Sequence, residues 1–326
     1  MKVLVVGGAG YIGSQMVLML HEQGHQVVVL DDLSAGHREA VLGGEFVEGS
    51  IADTALLDRL FVAHRFDGVM HFASFIQVGE SVIEPSKYYR NNLSHTLNLL
   101  DAMVRHDVKR FIFSSTAAIF GEPRQIPIDE VHPADPINPY GRTKWMVEQA
   151  LRDYDLAYGL KSVCLRYFNA AGADPKGRIG ELHQPETHLI PLVLQAAAGK
   201  RPHISVFGTD YDTPDGTCIR DYIHVVDLCT AHLLALDALM QGVQSDAFNL
   251  GNGAGFSIRQ VIDAARRVTD KSIAVVEGPR RAGDPARLIA DPKKIIAALG
   301  WKPKHAELES IIRDAWNFHQ KKGDAS

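Results

Sequence analysis

Seven residues near the start limit this chain more than any others. Gly7-Gly8-Ala9-Gly10-Tyr11-Ile12-Gly13 follows the apolar run "KVLVV" and opens the amphipathic stretch "YIGSQMVLMLHEQG". It satisfies G-x-x-G-x-x-G through Gly7, Gly10 and Gly13, and G-x-G-x-x-G through Gly8, Gly10 and Gly13. A strand that turns through glycines into a helix brings backbone N–H groups to an open helix N-terminus, where a pyrophosphate binds. Eighteen residues after Gly13, the next apolar run ends in Asp31-Asp32. Carboxylates there accept hydrogen bonds from adenosine ribose hydroxyls and repel a 2′-phosphate. The next arginine, Arg38, lies beyond a turn. The loop is therefore read as a dinucleotide site, for NAD rather than NADP.

The rest of the first half supports a fold that carries such a loop. "KVLVVGG", "QVVVLDD", "EFVEG", "GVMHFAS", "RFIFSS" and "SVCLRYFN" read as buried parallel strands, with helical stretches such as "YRNNLSHTLNLLDAMVRHD" between them. Alternating strands and helices predict an α/β fold, a doubly wound parallel (Rossmann-like) sheet. After Phe168 the texture changes to the Gly-, Pro- and His-rich "NAAGADPKGRIGELHQPETHLIP", which has the character of a functional loop. Shorter elements follow. The expected division is an NAD-binding domain over 1–170 and a smaller α/β substrate-binding lobe over 171–326, with some later segments returning to the first domain.

Bulk properties exclude several roles. A net charge of −5 over 326 residues argues against a nucleic-acid surface, which needs a basic stripe. The apolar run at the N-terminus is too short for a signal sequence or membrane span. Three cysteines without a C-x-x-C suit reduced thiols, so a cytoplasmic location without membrane partners is expected. The fifteen histidines show no H-E-x-x-H spacing, and no metal is assigned.

The chemistry is suggested by "INPYGRTKWMVEQALRDY". Asn138 suits an N-cap and Pro139 the first helical position, which puts Tyr140 and Lys144 on one helix face. A free phenol has a pKa of about 10, too high for a base at neutral pH. A neighbouring ammonium and a positive nicotinamide ring would both lower it. "SST" ends the strand before, so Thr116 should stand at the ligand crevice with them.

These residues resemble the extended short-chain dehydrogenase/reductases, and among them the family of UDP-glucose 4-epimerases (UDP-galactose 4-epimerases). "GGAGYIGS", "VGESV", "NPYGRTK", "LRYFNAAGA", "DGTCIRDYIHVVDL" and "PRRAGDPA" fall in that family's order. The resemblance implies an isomerase of carbohydrate metabolism with NAD as cofactor and a UDP-sugar as substrate. UDP-galactose and UDP-glucose would interconvert through a transient 4-keto intermediate, with Tyr140, Lys144 and Thr116 catalytic. It implies cofactor contacts at Gly7, Gly10, Tyr11, Ile12, Gly13, Asp31, Asp32, Ser50, Ile51, Phe72, Ala73, Ser74, Asn91, Tyr140, Lys144 and Phe168. On the substrate side it implies Thr116, Tyr167, Asn169, Leu189, Phe207, Arg220, Arg281 and Asp284. Relatives pair through two helices, so a homodimer through the segments near 88–104 and 140–157 is expected.

Dehydratase relatives carry carboxyl residues just after the Ser/Thr. Here Ala117 and Ala118 stand there and cannot transfer protons, which disfavours a second reaction. Three positions depart from the family pattern. Ser50 replaces an adenine-contacting aspartate, Ile76 a lysine near the cofactor, and Leu288 lies where sugar-pocket size is set. An epimerase of UDP-N-acetylhexosamines, UDP-pentoses or UDP-uronates, a sugar-nucleotide dehydratase, and an NAD-binding sensor without catalysis remain as alternatives.

Overall fold

In the computed structural model, residues 1–281 and 284–323 are described. Seven parallel strands form the main sheet: β1 (Lys2–Val6), β2 (Gln26–Asp31), β3 (Glu45–Glu48), β4 (Gly68–His71), β5 (Arg110–Thr116), β6 (Lys161–Tyr167) and β7 (Asp246–Leu250). Their spatial order is β7-β6-β5-β4-β1-β2-β3. All six runs read as strands from the sequence are present.

The alternation of side chains along β1 builds both cores. Val3 and Val5 point to one face, where they meet Met16 and Leu20 of α1 (Tyr11–Glu22) and Leu228 and Leu236 of the helix Val225–Met240. Leu4 and Val6 point to the other. There Leu57 and Leu60 of α2 (Thr54–Ala63), Leu99 and Met103 of α3 (His95–Arg105), and Val147 and Leu151 of α4 (Pro139–Tyr158) close over them. Each fully buried side chain of this kind contributes about 1.5–3 kcal/mol. Because both faces are covered, the five inner strands read as nearly unbroken apolar runs.

The segments 225–240 and 246–250, from beyond residue 170, pack into this first layer. The smaller lobe has its own core. Val193 and Leu194 of α5 (Leu189–Ala197), Val261 and Ala265 of the helix Ile258–Thr269, and Ile311 and Ile312 near the C-terminus surround Ile204 and Val206. Strand Asn169–Ala171 runs parallel to Tyr222–His224 where the lobes meet. The sheet order reverses direction at β1, between β4 and β2. Loops leaving the carboxyl ends of those strands open a crevice, where ligands bind in sheets of this kind.

Candidate active site

The glycine loop lies at that crevice. Gly7 has φ +77°, and a Cβ there would come within 2.4 Å of the Ala73 backbone nitrogen, so only glycine fits. A Cβ at Gly10 would meet only the Gly7 carbonyl, at 3.4 Å. Gly10 is the N-cap of α1, no side chain caps that end, and no acidic residue stands in its first turn with Tyr11, Ile12 and Gly13. An uncapped helix terminus beside an open backbone fits a pyrophosphate.

Asp31, at the end of β2, is buried. Its Oδ2 accepts from Ala9 N at 2.8 Å and its Oδ1 from Leu33 N at 2.9 Å. The carboxylate thus ties the glycine loop down while keeping lone pairs for ribose hydroxyls. Asp32 faces solvent and accepts from Ser34 N at 3.0 Å. Ser50 and Ile51 follow β3; Ser50 Oγ accepts from Ala52 N at 3.3 Å, and Ile51 is buried. These residues fit the adenosine end of a dinucleotide.

At the other end, Phe72, Ala73 and Ser74 leave β4. Lys144 Nζ donates to Ser74 Oγ at 2.7 Å and to the Ser114 carbonyl at 2.8 Å, with the Phe113 ring centroid 4.8 Å away. α4 begins as its sequence predicts: Asn138 Oδ1 accepts from Gly141 N at 2.8 Å, with Pro139 following. Thr116 ends β5 in register with Tyr167 at the end of β6. Thr116 Oγ1 accepts from Ala118 N at 3.1 Å, which leaves its own proton to give. Ala117 and Ala118 lie in a short 3-10 turn, and a Cβ on Gly141 would strike the Ala118 carbonyl at 2.5 Å. That turn therefore packs directly under the start of α4.

The acidities differ in part from the sequence expectation. Burial raises the Tyr140 phenol above its usual range, and a hydrogen bond with Thr116 opposes this. Lys144 is not among the groups that move it. Its ammonium is engaged by Ser74 and Ser114, and burial pulls its own pKa down to about 7, against the charge of Glu148. Tyr167 is also raised, by burial first and then by Tyr140 nearby. Asn91 lies in a π-helical turn over 89–94, where it donates to Asn92 Oδ1 at 3.0 Å. Phe168 and Leu288 pack with Ala117 around Ile119, Phe120 and Ile128, and Ile76 is exposed.

The substrate-side residues gather in part. The Arg281 guanidinium lies 4.0 Å over the Phe207 ring, and Arg220 pairs with Asp284. Asn169 donates from Nδ2 to the Asp221 carbonyl at 3.1 Å, and Leu189 begins α5. This puts one guanidinium on an aromatic face and a second against a carboxylate, groups suited to a base and to a diphosphate.

Three groups here escape sequence reasoning. Asn92 bonds both backbone groups of Phe75 at 2.9 Å and fixes the loop after β4. Glu148, one turn beyond Lys144, is buried and receives Arg166 Nη2 at 2.6 Å and Ser115 Oγ at 2.5 Å. The i, i+4, i+8 spacing of Tyr140, Lys144 and Glu148 was the available signal. Metal-type donors also meet in two places among the described residues, at Glu181, His183, Glu186 and His188, and at His224, His305 and Asp314. Glu148→Ala is expected to lower unfolding stability by about 3–5 kcal/mol, because Arg166 is left buried and unpaired. Urea unfolding of both proteins checks it; a loss under about 1 kcal/mol contradicts the assigned burial.

Comparison with known proteins agrees with this geometry. Residues 3–251 match the model of the NAD dependent epimerase/dehydratase family. A UDP-glucose 4-epimerase of Halalkalibacterium halodurans is 55% identical over 320 residues, covering 98% of this chain and 96% of its own. The crystal structure of UDP-glucose 4-epimerase from Brucella ovis in complex with NAD superposes with TM-score 0.95 at 50% identity, covering 97% of this chain and 98% of that one. That from Bifidobacterium longum, in complex with NAD+ and UDP, gives 0.93 at 37% identity over the full length of both. With its sheet order, its glycine loop and most of its length matched, the chain belongs to the NAD dependent epimerase/dehydratase family.

Proposed function

We propose that this chain is a UDP-glucose 4-epimerase, interconverting UDP-galactose and UDP-glucose through a 4-keto sugar. The observation that carries the reading is the meeting of Thr116, Tyr140 and buried Lys144 at the crevice, followed by two alanines in place of proton-transferring carboxyls. NAD, held by the glycine loop, Asp31 and Lys144, would supply reversible hydride chemistry at the sugar C4, and its positive ring would favour the phenolate.

The chain's own residues handle the proton and the position. Tyr140 Oη takes the proton of the C4 hydroxyl and later gives it back. Thr116 Oγ1 gives its one proton to the phenol in the free protein, restraining it against the effect of burial, and turns that proton to the C4 oxygen when the sugar is in place. Lys144 Nζ holds the polar edge by Ser74, where a ribose hydroxyl would share its donors. Arg220, Arg281 and Asp284, with Phe207, Asn169 and Leu189, anchor the nucleotide while the hexose turns over beside Tyr167. No proton has to move at C5 or C6, so Ala117 and Ala118 suffice.

Purified protein incubated with UDP-galactose and no added oxidant should reach equilibrium with UDP-glucose, followed by NMR. Deuterium placed at C4 should stay on that carbon. Conversion only of UDP-pentoses or UDP-uronates, or loss of the label to solvent, would overturn the reading.

The same reading places the protein in galactose metabolism, in the cytoplasm, as a homodimer. Three buried free cysteines suit a reducing compartment. Among the described residues no helix is long and apolar enough to cross a membrane. Met146 and Leu156 lie on the outer side of α4, 39% and 88% exposed, as a two-helix contact between copies needs. Light scattering should give twice the chain mass; a monomer at micromolar concentration removes the dimer.

A further inference from the structure

We propose that Glu181, His183, Glu186 and His188 form a binding site for one divalent cation of the zinc class, which fastens the 172–188 loop. All four come from one eight-residue stretch with the spacing E-x-H-x-x-E-x-H, which follows no helical or strand period. Their donor atoms nevertheless lie within 4.8 Å of one another. His188 Nδ1 is 2.7 Å from Glu181 Oε1 and 3.0 Å from Glu186 Oε1, and His183 Nδ1 is 2.8 Å from that same Glu181 oxygen. Glu181 is 95% buried in side-chain terms (5% exposed), whereas His188 reaches solvent at 37%.

Imidazole nitrogens and carboxylate oxygens are both zinc donors, and two of each supply the four ligands a tetrahedral site needs. The contacts of 2.7 to 3.0 Å are those of nitrogens and oxygens sharing protons. One cation at about 2.0–2.1 Å from each donor sets ligand edges near ~3.3 Å, so the three close pairs open by a few tenths of an ångström and the other donors, within 4.8 Å, close around the ion. Binding releases the shared protons, and two carboxylates cancel the charge of the ion. Secondary contacts already orient the ligands. Glu186 Oε1 accepts the backbone N–H groups of Thr187 and His188, and the Tyr11 ring meets His183 edge-on with centroids 6.3 Å apart. The cation would therefore join the glycine loop, through Tyr11, to the first residue of α5, Leu189. Its bearing on nucleotide retention rests on the function proposed above; its binding does not.

The test uses the full-length, tag-free protein. Elemental analysis after zinc loading and gel filtration should find one zinc per chain. Chelation should lower Tm by several degrees, and zinc, but not magnesium, should restore it. Glu181→Gln and His188→Gln should weaken zinc affinity at least tenfold, while His305→Ala, in the other donor group, keeps the full equivalent. Should Glu181→Gln fail to fold, the more exposed His183→Gln answers the same question. Wild-type protein that retains no zinc and shows no thermal response overturns the proposal, as does undiminished binding in Glu181→Gln and His183→Gln. A chain that is an active epimerase yet binds no zinc defeats this proposal alone; a zinc-binding chain inert toward every UDP-sugar defeats only the proposed reaction.

Discussion

Tyr140→Phe is expected to lower kcat for UDP-galactose by about 10²–10⁴-fold, the usual weight of a positioned acid–base group. The change removes one oxygen and leaves the ring in place, so folding and nucleotide binding should survive. Thermal unfolding and bound NAD content, measured beside kcat, separate lost chemistry from lost structure. A kcat within tenfold of wild type would remove Tyr140 from the mechanism. The pH profile gives a second check. Burial raises the phenol and Thr116 lowers it, so phenolate grows as pH rises toward the phenol's pKa. With Tyr140 as the base, kcat/KM should rise on the alkaline side. Thr116→Val removes the lowering bond, so the same limb should shift to higher pH. A shift toward lower pH would contradict the hydrogen bond inferred between the two residues.

Much of this arrangement is legible in the sequence because one physical cause controls each legible part. β1, β2, β4, β5 and β6 are covered on both faces, and dual burial selects continuous runs such as "VLVV" and "FIF". Asn138 and Pro139 mark the start of α4 because unsatisfied N–H groups at a helix end need a local acceptor. What escaped lacks such a local cause. "DAFNL" carries two polar residues in five and becomes β7 only by pairing with β6. Glu148 looks like one more charge on a surface helix until Arg166 from the neighbouring strand neutralises it inside the fold. The lobe cluster is assembled from Phe207, Arg220 and Arg281, on separate segments, and only a resemblance links them before the fold does. Conversely, the pull of Lys144 on Tyr140, which i, i+4 spacing suggests, is displaced by Ser74 and Ser114, because a buried ammonium takes the nearest oxygens.

Lys144→Met should make the protein more stable and at least 10²-fold less active at neutral pH. Lysine in an unfolded chain titrates near ~10.4, whereas burial holds Lys144 at about 7. Below pH 7 the ammonium is charged in both states, and the folded state bears the full desolvation cost. Between pH 7 and about 10.4 the unfolded chain binds the extra proton, so wild-type stability rises with pH across that window. Above it the cost is gone. The shift of roughly three units corresponds to an upper bound on the order of 4 kcal/mol. Part of this is offset, because the bonds to Ser74 and Ser114 also disappear in the variant, leaving a net gain of about 1–3 kcal/mol. Methionine fills the aliphatic path beside Phe113 without a charge, so the pocket need not collapse. Denaturant unfolding at pH 6, 8 and 10 provides the check. The variant's advantage should be largest at pH 6 and shrink by pH 10. A constant difference, or a variant less stable at pH 6, would mean that Lys144 is held by its partners at no cost, and that the site stores none of its folding energy in that charge.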